Sequence, residues 1–260
     1  MGKDCQGITV HAVSFDHRGG PAFYASLPGD GDPLKKCRAN GAEDKNHLVS
    51  ILLDHVTAIE RPLWKCRHLL DRAAFPVHVV RDPLGRPHLL LGEYRGPAIS
   101  FSESAGKVWA ALCGDASEIG IDVATADEFQ GEYPCHRVFH DRELQHALRL
   151  TGGDLEKASA MLWSIKEAVV KALGCAFHMV EPLQIHIYPS TRGGSWHTFP
   201  VCLSRKALAR SPIGTRQSIW VRSFPQAKSW LSIALLSRQS WRDEDGEDYN
   251  TSAGRQNIDP

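Results

Sequence analysis

Three charged residues lie at spacings that could support chemistry on a phosphate group. Asp122 follows the apolar run I-G-I at 119–121, where a carboxylate is unfavourable unless it is paired or binds a metal. Glu167 and Lys171 are four residues apart, so a helix would present both on one side. Two carboxylates beside an ammonium can hold Mg²⁺ against phosphate oxygens. The alternative for Glu167 and Lys171 is an ordinary ion pair on an exposed helix.

A helix from about residue 155 to 173 is predicted to carry this glutamate and lysine. Asp154 follows two glycines and is suited to cap the helix N-terminus. Gly174 is suited to the position just after the C-terminus. Apolar residues at helical spacing predict a buried stripe on this helix, formed by Leu162, Ile165, Val169, Ala172 and Leu173.

The strand that ends near Asp122 is predicted to be half of a hairpin. An apolar segment at 107–113, a turn at 114–117 and a second apolar segment at 118–123 give this pattern. We expect this hairpin at the centre of a first sheet. Asp122 would then lie at a strand end, where a side chain can reach a neighbouring helix.

The remaining pattern alternates helices and strands in both halves of the chain, which indicates a mixed fold of helices and sheets. Residues 21–33 are rich in turn residues and are predicted to form a loop, and 82–87 a tight turn. The chain after about residue 238 lacks apolar periodicity and is predicted to be disordered. Strands are expected at 8–15, 76–80, 183–188, 218–224 and 229–236, and helices at 47–56, 64–72 and 138–150.

The composition is ordinary for a globular protein and shows no bulk preference for polyanions. The 260 residues include 30 Lys or Arg and 30 Asp or Glu, so no net charge draws the molecule to nucleic acid or an anionic membrane. Seven cysteines without a C-x-x-C pair favour reduced thiols in a cytoplasmic protein. We expect neither a secretory signal nor a membrane span. An anionic ligand must therefore be held by a local basic cluster.

The segments G-I-D-V at 120–123 and W-S-x-K-E-A-x-x-K at 163–171 resemble the two signature motifs of the 4′-phosphopantetheinyl transferase superfamily. The second motif matches at every specified position, and the chain length is similar to that of the larger, surfactin-synthetase-activating type. The resemblance implies an α+β fold of two similar α/β lobes related by a pseudo-twofold axis, with the active site at their interface. The lobes would be residues 1–124 and 125–238, followed by a disordered tail at 239–260.

The resemblance also implies an activity. Members of this family move the 4′-phosphopantetheine arm of coenzyme A (CoA) to a serine of an apo acyl or peptidyl carrier protein. The reaction depends on Mg²⁺ and releases adenosine 3′,5′-bisphosphate. We therefore expect a cytoplasmic, monomeric transferase with no nucleic-acid or membrane partner. Two other interpretations stay open: a non-catalytic homologue that binds CoA or a carrier protein, and an unrelated Mg²⁺-dependent phosphohydrolase.

Roles for individual residues follow from the same resemblance. Asp122 and Glu167 would hold Mg²⁺, and Lys171 would neutralise charge on the phosphate. Glu167, or a water held by Glu143, would take the serine proton. Glu143 is equally well explained as a first-turn glutamate favoured by the helix dipole. The residues expected to bind CoA are Arg86, Ser100, Phe101, Ser102, Lys166 and Lys171.

Some positions differ from the family pattern. Phe101 stands where a histidine is usual, which removes a contact to a nucleotide phosphate. Ala124 stands where many members carry a glutamate, and a water on Mg²⁺ could fill that place. Arg86 replaces a usual lysine and keeps its charge, although a turn arginine facing water is the alternative. An N-terminal basic group either binds the 3′-phosphate of CoA or forms a solvated loop: Lys35, Lys36, Arg38 and Lys45.

Overall fold

The computed structural model describes residues 8–15, 21–28, 40–57, 77–92, 94–104, 106–114, 117–211 and 219–237. The helix predicted at 64–72 and the tail predicted at 239–260 lie outside these residues.

The first sheet has six strands, and all neighbouring strands are antiparallel. They are β1 (His11–Val13), β2 (Ala22–Pro28), β3 (Val77–Arg81), β4 (Pro87–Leu91), β5 (Tyr94–Ser104) and β6 (Lys107–Cys113). Their order in the sheet is β1-β2-β6-β5-β4-β3. One helix, α1 (Asn40–Thr57), packs Leu48, Leu52 and Val56 against one face of this sheet.

The second sheet is also antiparallel and contains the remaining strands of the described residues. Its strands are β7 (Ser117–Thr125), β8 (Ile185–Ile187), β9 (Thr191–Gly193), β10 (Trp196–Leu203), β11 (Ile219–Pro225) and β12 (Ser229–Ser237). The order is β7-β12-β11-β10-β8, and β9 pairs with β10. The helices of this part are α2 (Asp141–Leu150), α3 (Leu155–Leu173) and α4 (Arg205–Arg210).

Three apolar clusters stack these elements as helix, sheet, sheet and helix. The first lies between α1 and the first sheet. The second lies between the two sheets, where Ile119, Ile121 and Val123 of β7 meet Trp109 and Ala111 of β6. The third lies between the second sheet and α3. Because β7 alternates its side chains between two faces, its even-numbered residues face α3.

Helix α3 approaches the backbone of β7 unusually closely at Gly120. A Cβ atom at this position would lie 1.9 Å from the carbonyl oxygen of Ala168 and 2.6 Å from the amide nitrogen of Ala172. Glycine therefore lets helix and strand backbones touch. This close contact places the next even-numbered residue of β7, Asp122, within reach of the polar side chains at the end of α3.

Several predicted elements are confirmed, and the key helix is predicted accurately. α3 runs from Leu155 to Leu173, the Asp154 side chain accepts a hydrogen bond from the Lys157 amide, and Gly174 has a φ of 69°. Strands β3, β8, β11 and β12, helices α1 and α2, and the turn before Arg86 also lie where the pattern indicated.

Two predictions of local structure are wrong. The segments 107–113 and 118–123 do not form a hairpin, because β6 belongs to the first sheet and β7 pairs with β12 in the second. The chain therefore passes from the first sheet to the second before residue 117. The lobe boundary at 124 stays a prediction. Residues 21–33 were expected to form a loop, yet 22–28 form β2, whose first four residues are buried. The pseudo-twofold relation between the lobes stays a prediction.

Candidate active site

Asp122 and Lys171 meet at the contact between β7 and α3. Lys171 Nζ donates to Asp122 Oδ1 at 2.7 Å and to the Ile121 carbonyl oxygen at 3.2 Å. Ser102 Oγ, from β5 of the first sheet, donates to the same Asp122 oxygen at 3.0 Å. The Asp122 residue is only 7% exposed, and its carboxylate is held in place by partners from two elements, α3 and β5.

Glu167 lies one helical turn before Lys171 on the same side of α3 and is partly buried. Burial raises the pKa of the Glu167 carboxyl, the nearby charge of Asp122 raises it further, and Lys171 opposes the rise. Glu128 also raises this pKa, and its side chain accepts hydrogen bonds from the amide and hydroxyl of Thr125, both at 2.9 Å. Glu167 therefore lies near two other carboxylates, those of Asp122 and Glu128.

The donor set at this point suits a hard divalent cation. Asp122 and Glu167 supply carboxylate oxygens, the ligands that Mg²⁺ prefers, and a bound cation would relieve the repulsion that raises the pKa of Glu167. Ala124 is 1% exposed and offers no ligand oxygen on its side chain. Glu128 was not assigned from the sequence. Its position past the strand end gave no signal that a 3₁₀ turn at Ala126–Phe129 would bring it near α3.

A pocket of about 260 Å³ lies beside this cluster and is lined by the first sheet, the turn after β3, helix α1 and the end of α3. Its cations are Lys45, Arg81, Arg86 and Lys171, and its single acidic residue is Glu103. Lys45 pairs with Glu103. The other lining residues are Leu84, Gly85, Pro87, Ser100, Phe101, Ser102, Gly174 and Cys175. The excess of positive charge fits a ligand with more than one negative charge.

Ser100 and Ser102 line the pocket but already have partners inside the protein. Ser100 Oγ accepts from the amide of Ile121 at 3.1 Å, and Ser102 Oγ accepts from the amide of Val123 at 3.2 Å. Both residues are buried. Each hydroxyl therefore ties β5 to the outer edge of β7, a role that sequence reasoning did not foresee.

Phe101 lies in the wall of the pocket, where a histidine is usual in the resembling family. It is 9% exposed and belongs to the apolar cluster under α1. The Lys45 Nζ atom lies 5.9 Å from the centroid of its ring, within the range of a cation–π contact. The Phe101 ring thus helps to position the Lys45 ammonium group in the pocket, although Phe101 itself carries no charge.

Arg86 joins the turn after β3 to the end of α3. Its guanidinium pairs with Glu118, which is 2% exposed, and NH2 also donates to the Ala172 carbonyl at 3.4 Å. A Cβ atom at Gly174 would lie 2.6 Å from Arg86 NH1, so glycine leaves room for this arginine. Arg86 therefore lines the pocket while its charge is largely balanced by Glu118. The sequence signal that could have predicted this ion pair is Glu118 itself, a glutamate inside an apolar strand, because a buried carboxylate needs a cationic partner.

Lys166 and Glu143 are not brought to the Asp122 cluster. Lys166 is fully buried, and its Nζ atom donates to Glu143 Oε2 at 2.9 Å and to the carbonyls of Pro182 and Ile185 at 2.8 and 2.9 Å. All three ammonium protons are thus used by acceptors inside the protein. The expectation that Lys166 contacts CoA is corrected, because its ammonium group has no donor left for a ligand.

Glu143 likewise has structural partners on both oxygens. Besides Lys166, it accepts from the Ile187 amide at 2.8 Å and from the His140 amide at 3.1 Å, which caps α2. His140, Glu143 and His186 bring possible metal-ligand atoms within 4.8 Å of one another. The Lys166 ammonium already occupies this carboxylate, so we interpret the group as structural. The proposed catalytic water on Glu143 has no support from this arrangement.

Residues 118–212 match the family model of the 4′-phosphopantetheinyl transferase superfamily. The matched segment carries Asp122, Glu167 and Lys171 and covers just over a third of the 260 residues. Among solved structures, the chain is similar to one described as the Chronobacterium ammoniagenes ACPS-CoA complex, with 19% identity and a TM-score of 0.37. That match covers 48% of this chain and 100% of the other. No curated protein matches the chain.

None of the helices in the described residues is long and apolar enough to cross a membrane.

Proposed function

We propose that this chain is a transferase that moves the 4′-phosphopantetheine arm of CoA to a serine of an apo acyl or peptidyl carrier protein. The observation that carries the proposal is the meeting of Asp122 and Lys171, with Glu167 beside them, at the edge of a cationic pocket. The family match over 118–212 supports the reaction class. We further propose the surfactin-synthetase-activating type, acting as a cytoplasmic monomer.

The pocket cations would hold the phosphates of CoA. Lys45 and Arg81 lie on the first-sheet side, and Lys171 lies at the boundary with the carboxylates. Arg86 would contribute mainly by fixing the turn that carries the pocket wall, because its charge is paired with Glu118. Charge neutralisation and positioning are what phosphoryl-type transfer chiefly needs from a protein.

Asp122 and Glu167 would hold Mg²⁺, which when bound stabilises charge on the pyrophosphate oxygens. In the proposed step, the carrier serine Oγ forms a bond to the β-phosphorus of CoA. The bond from that phosphorus to the bridging oxygen breaks, and adenosine 3′,5′-bisphosphate leaves with the electron pair. Lys171 would neutralise the leaving phosphate. The Glu167 carboxylate would take the serine proton.

The test is to incubate the purified chain with CoA, MgCl₂ and a panel of apo carrier proteins. The carriers should come from fatty-acid, polyketide and peptide synthesis, and the readout is intact-protein mass. We expect one carrier to gain the mass of a single phosphopantetheine group. The gain should require Mg²⁺ and should be lost with Asp122→Asn and Glu167→Gln.

Two other outcomes would replace the proposal. CoA binding by calorimetry without a mass gain on any carrier would indicate a non-catalytic binding homologue, an interpretation that the buried Ala124 favours. Phosphate release from a simple ester in the absence of a carrier would instead indicate a phosphohydrolase.

A further inference from the structure

A second positively charged pocket lies in the second lobe, at the opposite end of α3 from the Asp122 cluster. Its volume is about 480 Å³, and it is formed by the end of α2, the start of α3 and the β9–β10 and β11–β12 connections. Lys157 borders this pocket and Lys171 borders the first one. Fourteen helical residues separate them, about 21 Å along the axis. The two pockets are therefore distinct sites.

The charge in this second pocket is entirely of one sign. Arg149, Lys157 and Arg192 line it, together with His197, and no aspartate or glutamate is among its lining residues. Lys157 is paired with Asp154 at 2.8 Å on the surface. Within the described part of the chain, neither arginine has a carboxylate at salt-bridge distance. Two guanidinium groups without counter-charges on one pocket wall favour an anionic ligand.

The contacts of His146 hold Arg149 and Ser190 at the wall of this pocket. Its Nε2 atom lies 3.1 Å from the Ser190 amide nitrogen and 3.2 Å from Ser190 Oγ, and Nδ1 lies 3.5 Å from Nη2 of Arg149. The Nδ1 contact uses one of the five guanidinium N–H donors at most, so Arg149 can still donate to an anion in the pocket.

His197 contributes an unsatisfied polar atom to this pocket. Its Nδ1 is buried and has no hydrogen-bond partner among the described residues. On the β9–β10 ladder it lies directly opposite Arg192. Burial lowers the pKa of His197, and the charges of Arg192 and His146 lower it further, as expected where positive charge is not balanced. Arg192 forms no ion pair with a described carboxylate, and His197 Nδ1 has no hydrogen-bond partner among the described residues, so both can still bind a ligand.

We propose that this pocket binds a phosphate group through Arg149, Arg192 and His197, independently of the transferase site. The forked guanidinium groups match the oxygens of a phosphate, and the Ser190 and Thr151 hydroxyls lie in the same wall. Trp230 closes the inner side with an apolar surface. The pocket volume is in the range of small-molecule sites, so the ligand class is a phosphate-bearing small molecule.

The probe for the test is inorganic phosphate, titrated into the full chain at constant ionic strength. Amide resonances of Thr151, Ser190 and Arg192 report on this pocket in a ¹⁵N-labelled sample, and those of Ile121 and Val123 report on the transferase site. We expect saturable shifts at the first group that are weakened at least about tenfold by R149Q/R192Q. Both arginines are exposed, so this variant should keep the wild-type melting temperature.

Two control variants separate charge from geometry. Lys206→Gln removes an exposed cation outside the pocket and should leave the titration unchanged. R149K/R192K keeps the charge without the fork and should bind phosphate with an intermediate affinity. Carrier modification by R149Q/R192Q should equal that of the wild type, so failure of the transferase proposal would leave this test intact. Absence of shifts at the three pocket amides, equal shifts in R149Q/R192Q, or equal binding of acetate would overturn the proposal.

Discussion

The Lys171 ammonium lies 2.7 Å from Asp122 Oδ1, so the helix cation and the strand carboxylate are already paired with each other. A divalent cation at Asp122 must therefore compete with Lys171. In the proposed reaction, cation binding would free Lys171 to contact a CoA phosphate in the adjoining pocket. Without the cation, Lys171 supplies the positive charge that neutralises Asp122.

Replacing Lys171 with methionine should separate metal binding from transfer. Because Asp122 loses its competitor, we expect Mg²⁺ to bind up to about tenfold more tightly, which corresponds to about 1.4 kcal/mol. Carrier modification should fall at least about a hundredfold, because charge on the phosphate is no longer neutralised. Mg²⁺ calorimetry and the mass assay measure the two effects. Lys157→Met, which removes another lysine of α3, should change neither, and weaker Mg²⁺ binding by Lys171→Met would contradict the competition.

Glu167 should make the metal-free protein less stable as the pH rises. Its raised pKa means that the folded chain retains a proton that the unfolded chain, with a glutamate pKa of about 4.3, has lost. Stability therefore falls as the pH increases through the raised pKa. Glu167→Gln removes this loss, so at pH 8 without metal its melting temperature should exceed that of the wild type. Each kcal/mol of difference would appear as a shift of roughly 2–4 °C.

The same pair of proteins tests the metal site. Mg²⁺ should raise the melting temperature of the wild type and leave that of Glu167→Gln almost unchanged. At pH 3, below the unfolded glutamate pKa of about 4.3, the two metal-free proteins should melt together, because the glutamate is then largely protonated in both states. A wild type that is the more stable of the two at pH 8 would contradict the repulsion between Glu167 and its neighbouring carboxylates.

Arg86 should matter more for stability than for charge in the pocket. Arg86→Met leaves the buried Glu118 without its cation, and breaking one partner of a buried pair typically costs about 3–5 kcal/mol. The double variant Arg86→Met/Glu118→Leu should recover much of this loss. Chemical denaturation of the two single variants and the double variant completes a double-mutant cycle. Additive losses would show that the two residues do not act as a pair.

Lys166→Met tests whether this lysine is structural. Removal of its ammonium leaves Glu143 and two carbonyl groups unsatisfied in the core, so we expect a loss of about 3–5 kcal/mol in unfolding free energy. Lys166→Met/Glu143→Gln should be more stable than the single variant, because no buried charge remains. Below the melting transition, the KM for CoA should stay within about twofold of the wild-type value. An increased KM at unchanged stability would restore the CoA contact expected from the sequence.

The helix that carries the site could be predicted because its signals are local. Asp154, Gly174 and the apolar stripe fix both ends and the buried face of α3 within one segment. The pairing of β7 could not be predicted in this way. Both 107–113 and 117–125 are apolar on two faces, so their alternation does not distinguish a hairpin from strands of separate sheets.

The partners of the buried charged residues could not be predicted either, because each pair is formed by residues far apart in the sequence. Glu118 and Arg86 are 32 residues apart, and Lys166 and Glu143 are 23 apart, so only the tertiary fold brings either pair together. A charged residue inside an apolar segment predicts that a partner exists. It does not indicate whether that partner is a ligand, a metal or another side chain. The assignments of Lys166 to CoA and of Glu143 to a catalytic water came from the family resemblance, which does not show that these two side chains pair with each other.

The two serine hydroxyls that cover the outer amides of β7 have a consequence for self-association. β7 is the end strand of the second sheet, and uncovered amides on such a strand invite pairing with a strand of another molecule. The Ser100 and Ser102 hydroxyls accept hydrogen bonds from these amides, so the amides are not available to a strand of another molecule. Alanine substitutions made there to probe CoA binding should therefore also promote aggregation, and light scattering is needed beside any activity measurement.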